Sequence, residues 1–396
     1  MLAPMPTIRS FHSLMRPSLT LFFVASLMGS SWTQDDPNPR LEATAFPSAP
    51  GQVLREIVLE SPGHPVAMAF LPDGTLLFTD KESQQVRVIE PGGVEADEPF
   101  LDLSGEEPSA RGMIGLAIDP DFTRNGFVYL SLSSNLEAPV ERDDIARIIR
   151  VVAQGRRADL ESLITLVTVP GEALVGYEGG NLHFAPNGQL YFVIGDRRPD
   201  NAPQDPQHCA GHMLRYERDG TIPEDNPFGP ENPSYALGLR NSFDFTFDPL
   251  SGGLFATENG PAADDEINLV EAGLNYGWPA VSGPADLDKE QPFTEREDYR
   301  GPLIETGPAP TGIVVDVEGT FGIPGALLVV EWSYARLLQL ELSDDRRTIK
   351  RALILSHDVG TGINDLAWGP DGALYSCSPT AIERLTFRGA GSAEEG

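Results

Sequence analysis

Apolar residues along this chain fall in short β-rich runs, and the runs come in pairs around an Asp, Asn, Pro or Gly turn. The clearest pairs are Ala69–Asp80 (AFLPDGTLLFTD), Ala117–Leu130 (AIDPDFTRNGFVYL), His183–Asp196 (HFAPNGQLYFVIGD), Thr246–Glu258 (TFDPLSGGLFATE) and Ala367–Ser376 (AWGPDGALYS). A weaker copy spans Val314–Trp332, with Gly319 and Gly325 around its turn. Asp-Gly and Asn-Gly tolerate the positive φ of tight turns, so each copy predicts a β-hairpin. A lone hairpin is marginal in water, and its repetition implies that the copies pack on one another. Their spacing of roughly 50 to 65 residues leaves room for a four-stranded blade and a loop. The pattern therefore predicts an all-β fold, a six-bladed β-propeller with four-stranded antiparallel blades and less than about a tenth of its residues helical.

The 396-residue length would allow two or three domains, but blades do not fold separately, so one toroidal domain is expected. Forty glycines and thirty-five prolines agree with many turns and little helix. Acidic residues outnumber basic ones 59 to 28, a formal charge of −31 that disfavours nucleic acid and anionic lipid as partners. Arg9 and Arg16 precede the apolar stretch Leu19–Met28, and small residues follow it. At about ten residues this stretch is too short to span a bilayer and reads as a secretory signal over residues 1–34. The mature protein is expected to be exported to the periplasm or outside the cell, with no membrane span. Cys209 and Cys377 are the two cysteines, read as separate buried thiols.

Residues 35–52 read as a polar, proline-rich linker, 53–388 as the propeller, and 389–396 as a small acidic tail. The first blade is expected to begin near Val53. Asn135–Arg150 is a charged insert with room for a short helix, and Ala285–Gly307 is expected as an exposed loop between blades. Propellers bind ligands at the mouth of the central channel, so segments following the inner strands are candidates for function.

In this order the motifs resemble the glucose/sorbosone dehydrogenase family, the soluble pyrroloquinoline quinone (PQQ) sugar dehydrogenases. The segments that carry the resemblance are Pro65–Gly74, Arg111–Tyr129, Gly179–Asp196, Gly211–Phe228, Tyr235–Pro249 (YALGLRNSFDFTFDP), Glu258–Pro279 (ENGPAADDEINLVEAGLNYGWP), Pro310–Ile313 and Asp365–Tyr375. A single PDG hairpin is weak evidence; ALGLRN, NGPxxxDEIN and NYGWP in succession are strong. The resemblance implies PQQ and Ca²⁺ as cofactors, an aldose as substrate, and a His as general base. That base position holds Tyr177, within Gly176-Tyr177-Glu178-Gly179-Gly180. A phenol titrates near 10, which suits packing or ligand binding better than proton abstraction at neutral pH. His183 reads as an outward-facing strand residue and His212 as structural; neither replaces the base.

The resemblance also implies a cationic clamp for the quinone's three carboxylates. Arg240 and Asn241 match the family's cofactor-contacting pair, but Gly362 and Asn364 stand where two arginines are expected, and Ser333 near an expected lysine. Gly260 and Pro261 match the positions whose carbonyls hold calcium, and Asp264, Asp265 and Glu266 add oxygen donors in one short loop. A solvated acidic turn is the alternative for those three. Tyr276 and Trp278 suit either blade packing or a sugar-stacking face. Two functions stay open: a PQQ- and calcium-dependent aldose oxidoreductase, or a non-catalytic propeller that binds a carbohydrate or a protein and keeps the calcium. Tyr177, Ser333, Gly362 and Asn364 favour the second; Arg240-Asn241 and Gly260-Pro261 favour the first.

Overall fold

The computed structural model describes residues 46–104, 111–134, 144–170, 180–196, 201–261, 263–283, 292–360 and 362–390. Within them the chain forms six antiparallel sheets, the blades of a propeller. Their innermost strands are Pro65–Phe70, Arg111–Ile118, Leu182–Phe184, Ser242–Phe247, Pro310–Asp316 and Asp365–Trp368, numbered here as blades 1 to 6. Each hairpin phrase pairs the first and second strands of one blade, as in Met68↔Phe78, Leu182↔Phe192 and Ala367↔Tyr375. The described helix is slight: Phe122–Asn125, residues 292–294 and one 3₁₀ turn at Ala202–Gln204.

The first strand departs from the sequence expectation. Gly51–Glu60 does not open blade 1; it pairs antiparallel with Ala381–Gly389 as the outer strand of blade 6. Segments from the two ends of the described propeller thus share one sheet and close the ring, so that no blade face is left unpacked as at the ends of a linear stack. Two further expectations change. Residues 144–154 are a strand of blade 2 rather than a helical insert, with 135–143 outside the described residues. Of the segment 285–307, the described residues 292–307 include the fourth strand of blade 4, Ile304–Glu305, so they belong to that blade and do not form a loop between blades; 285–291 lie outside the described residues. The signal assignment at 1–34 falls outside the described residues, as do 391–396 of the tail assigned at 389–396; its first residue, Gly389, instead ends a strand and pairs with Gly51.

Each blade is apolar on both faces, and six hydrophobic clusters occupy the six blade junctions. Leu77 and Val86 meet Leu116 and Val128 between blades 1 and 2, and Tyr129 and Ile148 meet Leu182 and Phe192 between 2 and 3. Tyr191 and Val193 pack on Phe245, Phe255 on Leu327 and Val329, Leu328 and Val330 on Leu366 and Leu374, and Cys377 and Ile382 on Met68 and Phe78. Burial of this kind contributes roughly 25 cal/mol per Å², and it makes neighbouring blades interdependent.

Polar side chains tie the inner strands together around the channel. Ser131 donates to the Gly180 carbonyl, Thr257 to Thr311 at 3.0 Å, and Thr311 to Ile363 at 2.6 Å. Asn364 donates to the Pro65 carbonyl at 2.7 Å, and the Asp365 carboxylate accepts the Met68 N–H at 2.7 Å. Asp244 links three blades, accepting from Asn181 Nδ2 at 2.6 Å and the Ile313 N–H at 3.2 Å while bonding His183 Nε2 at 2.7 Å. His183 is therefore not a free outward-facing residue. Its imidazole is held by Asp244 and sits edge-on to Phe245 at 4.9 Å. His212 is buried as expected, bonded to Ser234 Oγ at 2.9 Å.

Candidate functional site

The candidate residues gather where second strands end and inner strands begin. The recurring hairpin turns lie at the opposite ends of those strands. The described crevices of about 490 and 430 Å³, at the junctions of blades 3 with 4 and 2 with 3, contain none of the candidate residues.

Blade 4 supplies the best-defined part. Glu258 ends its second strand, and one carboxylate oxygen accepts the N–H groups of Arg240 at 3.1 Å and Asn241 at 2.5 Å. The other accepts Ser242 Oγ at 2.7 Å, so Glu258 anchors the turn that presents the Arg-Asn pair. Burial pushes this carboxyl up to about 7. Its cross-strand partner Glu266 is pushed up to about 8, by burial first and the Glu258 charge second. Two adjacent acids in a dry site resist joint ionisation.

The Arg240 guanidinium is turned onto its own backbone loop. Its Nη1 donates to the Asn259 carbonyl at 2.7 Å and the Gly260 carbonyl at 2.6 Å, and its Cζ lies 5.2 Å from the centre of the Trp278 ring. Trp278 Nε1 donates to Asp196 Oδ2 at 2.6 Å, and the Asp196 N–H returns to the Arg240 carbonyl at 2.6 Å. Trp278 therefore serves blade contact here, as does buried Tyr276, whose hydroxyl donates to the Leu269 carbonyl at 2.6 Å.

Gly260 opens a loop folded tightly on itself: a Cβ there would lie 1.9 Å from the Ala263 carbonyl oxygen. The Asp265 carboxylate points inward and accepts the Gly260 and Ala309 N–H groups, both at 3.3 Å, bridging blade 4 to blade 5; burial raises its pKa. Glu266 is buried and bonded by Asn268 Nδ2 at 3.1 Å. Those two carboxylates cap the loop from inside. The Gly260 and Pro261 carbonyls and the Asp264 side chain are the other oxygens of the expected set, and among the described residues no group of three or more His, Cys, Asp or Glu could hold a metal ion. The carbonyl pair is a hard-oxygen donor set that fits calcium, with the Gly260 oxygen shared with Arg240.

The rim continues through blades 5 and 6. The Trp332 N–H donates to the Ala309 carbonyl at 2.8 Å and the Gly362 N–H to the Trp332 carbonyl at 3.4 Å. Ser333, Gly362 and Asn364 occupy the positions where the resemblance expects cations. Gly362 has φ +74°, and a Cβ on it would lie 3.2 Å from Trp332 Nε1. The Asn364 side chain is consumed by Pro65. Arg336, a candidate substitute for the missing cations, is ion-paired with buried Glu331 and lies 4.5 Å over the Tyr334 ring. Tyr177 and the pair Arg197-Arg198 lie outside the described residues, as does the Arg111 side chain.

Sequence reasoning did not single out Glu258, Glu331, Trp332 or Tyr334. Glu258 was visible as the acid two residues before Gly260. Trp332 was visible only as the end of the weakest hairpin copy, and Tyr334 lies two residues beyond it.

The model of the family described as glucose/sorbosone dehydrogenase matches residues 63–385. An uncharacterized Synechocystis protein, slr1608, is 30% identical over 355 residues, covering 80% of this chain and 82% of the relative. Aldose sugar dehydrogenase YliI of Escherichia coli is 27% identical over 354 residues, covering 84% and 92%. The PQQ-bound aldose sugar dehydrogenase of Streptomyces coelicolor shares the fold at a TM-score of 0.70 and 24% identity, covering 86% of this chain and all of that one. With the motifs, the ring and the family model in agreement over nearly the whole propeller, this chain belongs to the glucose/sorbosone dehydrogenase family.

Proposed function

We propose that this chain is an exported member of the family that binds a carbohydrate at the mouth of its channel and does not carry out PQQ-dependent aldose oxidation. One observation carries the reading: among the described residues, the two arginines placed near the mouth are already engaged. Arg240 is bonded to two backbone carbonyls and Arg336 to Glu331, while positions 333, 362 and 364 hold uncharged residues. A tricarboxylate needs several charge-assisted contacts worth roughly 1.5–3 kcal/mol each, so these residues do not fit PQQ. The acidic surroundings, Asp264, Asp265 and Glu331, oppose it further. Tyr177 at the base position adds to the same conclusion, since a phenol is a poor proton acceptor at neutral pH.

Calcium belongs to the same proposal. The Gly260 and Pro261 carbonyls would hold it, with Asp264 beside them, and the ion would act as an electrophilic anchor for hydroxyl oxygens. A guanidinium 2.6 Å from the Gly260 oxygen would compete with it, so weak affinity is expected. The protein's own residues do the rest: Glu258 fixes the Arg240 turn and Asp265 holds the calcium loop against blade 5.

The deciding experiment is calorimetric titration of purified protein with PQQ in the presence of Ca²⁺, paired with a dye-reduction assay on glucose. No PQQ heat and no dye reduction are expected. Robust PQQ-dependent dye reduction would overturn the reading. Ca²⁺ should raise the unfolding temperature and chelation reverse it; indifference to both would remove the calcium site.

A further inference from the structure

Four residues between strands Ala326–Glu331 and Arg336–Leu342 of blade 5 form a turn that projects Trp332 and Tyr334 from the rim. Trp332 is 47% and Tyr334 44% exposed. Among the described residues they are the exposed large apolar side chains at this end of the ring; Ile57, Val94, Leu160 and Ile164 lie on outer strands, and Leu250 on the opposite turn. Two aromatics left half-bare on a solvated, strongly acidic protein call for a physical reason.

The turn is rigidly mounted. The Trp332 N–H is bonded to Ala309, and the Ala335 carbonyl accepts the Val359 N–H at 2.9 Å. Trp332 rests its pyrrole edge beside Gly362, where any larger residue would displace it. Tyr334 lies directly on Gly307, whose missing Cβ would sit 2.7 Å from Tyr334 Cδ2, and its ring faces the Arg336 guanidinium. Both rings are thus backed by protein and bare toward solvent. Between the two rings in sequence lies the exposed Ser333, which adds a hydroxyl to the turn.

Resting on the carbohydrate reading above, we infer that Trp332 and Tyr334 are a stacking platform for an uncharged pyranose ring. The C–H face of a pyranose matches an aromatic surface, and its equatorial hydroxyls suit the Ser333 hydroxyl of the turn. Its neutrality suits a chain of net charge −31 whose described arginines near the mouth, Arg240 and Arg336, are already bonded. The patch is also small, two rings rather than the roughly 800 Å² a stable protein partner would cover. Gly362 has a further role in this arrangement, since leaving that position without a side chain gives the indole edge room beside the rim.

The test uses the full mature chain and saturation-transfer NMR titrations with glucose, galactose and xylose, with sorbitol and glucuronate as controls. At least one aldopyranose should bind, sorbitol should bind markedly less, and glucuronate several-fold more weakly than glucose. Trp332→Ala and Tyr334→Ala should each weaken binding about tenfold, while Trp332→Phe and Tyr334→Phe retain most of it. Unfolding temperatures would verify that every variant folds. Sugar binding indifferent to all four substitutions would overturn the platform and leave the carbohydrate reading standing. No binding of any of the three sugars would overturn both. Self-association of the wild type that Trp332→Ala abolishes would mark the patch as a protein contact and also refute the inference.

Discussion

Removing the Asp244 carboxylate tests whether polar ties between blades, and not apolar burial alone, hold the ring closed. Asp244→Ala leaves three donors without their acceptor: Asn181 Nδ2, the Ile313 N–H and the His183 ring nitrogen. Asn181 and Ile313 are each 2% exposed, so water cannot replace the lost bonds, and each orphan costs roughly 1–3 kcal/mol. The His183 side chain is 34% exposed and finds solvent, so it adds little. An opposing effect comes from Asp365, whose pKa is raised by burial and then by the Asp244 charge; deleting Asp244 relieves that repulsion. The balance is a loss of about 3–5 kcal/mol. At about 2.1 cal/mol/K per residue over a unit of roughly 340 residues, this lowers the unfolding temperature by about 4–7 °C. Differential scanning calorimetry at pH 7 reads it directly. In an Asp365→Asn background the repulsion is already gone, so the same substitution should cost more. A shift below about 1 °C, or an equal cost in both backgrounds, would refute the reasoning.

Other expectations follow from single sites. Gly362→Arg should not restore a cofactor clamp: φ +74° and the Trp332 indole at 3.2 Å predict a fall of several degrees in unfolding temperature and no gain in PQQ binding by calorimetry. His212, pushed down to about 4 by burial, contributes stability that is complete above 6.5 and lost as pH falls toward 4, about 3 kcal/mol in all; His212→Gln should flatten that acid limb in a series of melts. Glu258 and Glu266 act with the opposite sign: their raised values leave stability full below about 4.5 and draw it down as pH rises above that and the unfolded chain ionises first. Stability from them should fall as pH rises through 7 and 8, and Glu266→Gln should reduce that alkaline loss. Burial pushes the Cys209 thiol up to about 11, so it should resist a thiol reagent at pH 8 until the protein unfolds.

The hairpin phrases were legible because a β-strand, its turn and the returning strand are encoded within about a dozen residues. Asp73-Gly74, Asn187-Gly188 and Asp371-Gly372 announce their turns locally, and six such copies imply six blades. The family was legible for the same reason, since ALGLRN, NGPxxxDEIN and NYGWP are contiguous. What no local pattern carries is which distant strand a segment joins. Gly51–Glu60 reads as the start of blade 1 and instead completes blade 6, because closing the ring demands a strand from the other end of the chain. Tertiary structure alone also decided which way the functional side chains face. Asp265 and Glu266 look like metal ligands in a row, yet backbone N–H groups and burial draw them inward, while Arg240 turns onto the Asn259 and Gly260 carbonyls. Likewise His183 joins Asp244, 61 residues away, only because blades 3 and 4 are neighbours in space. Short-range turn chemistry set the count and type of the blades; long-range closure and the competition for buried hydrogen bonds set what their rim can hold.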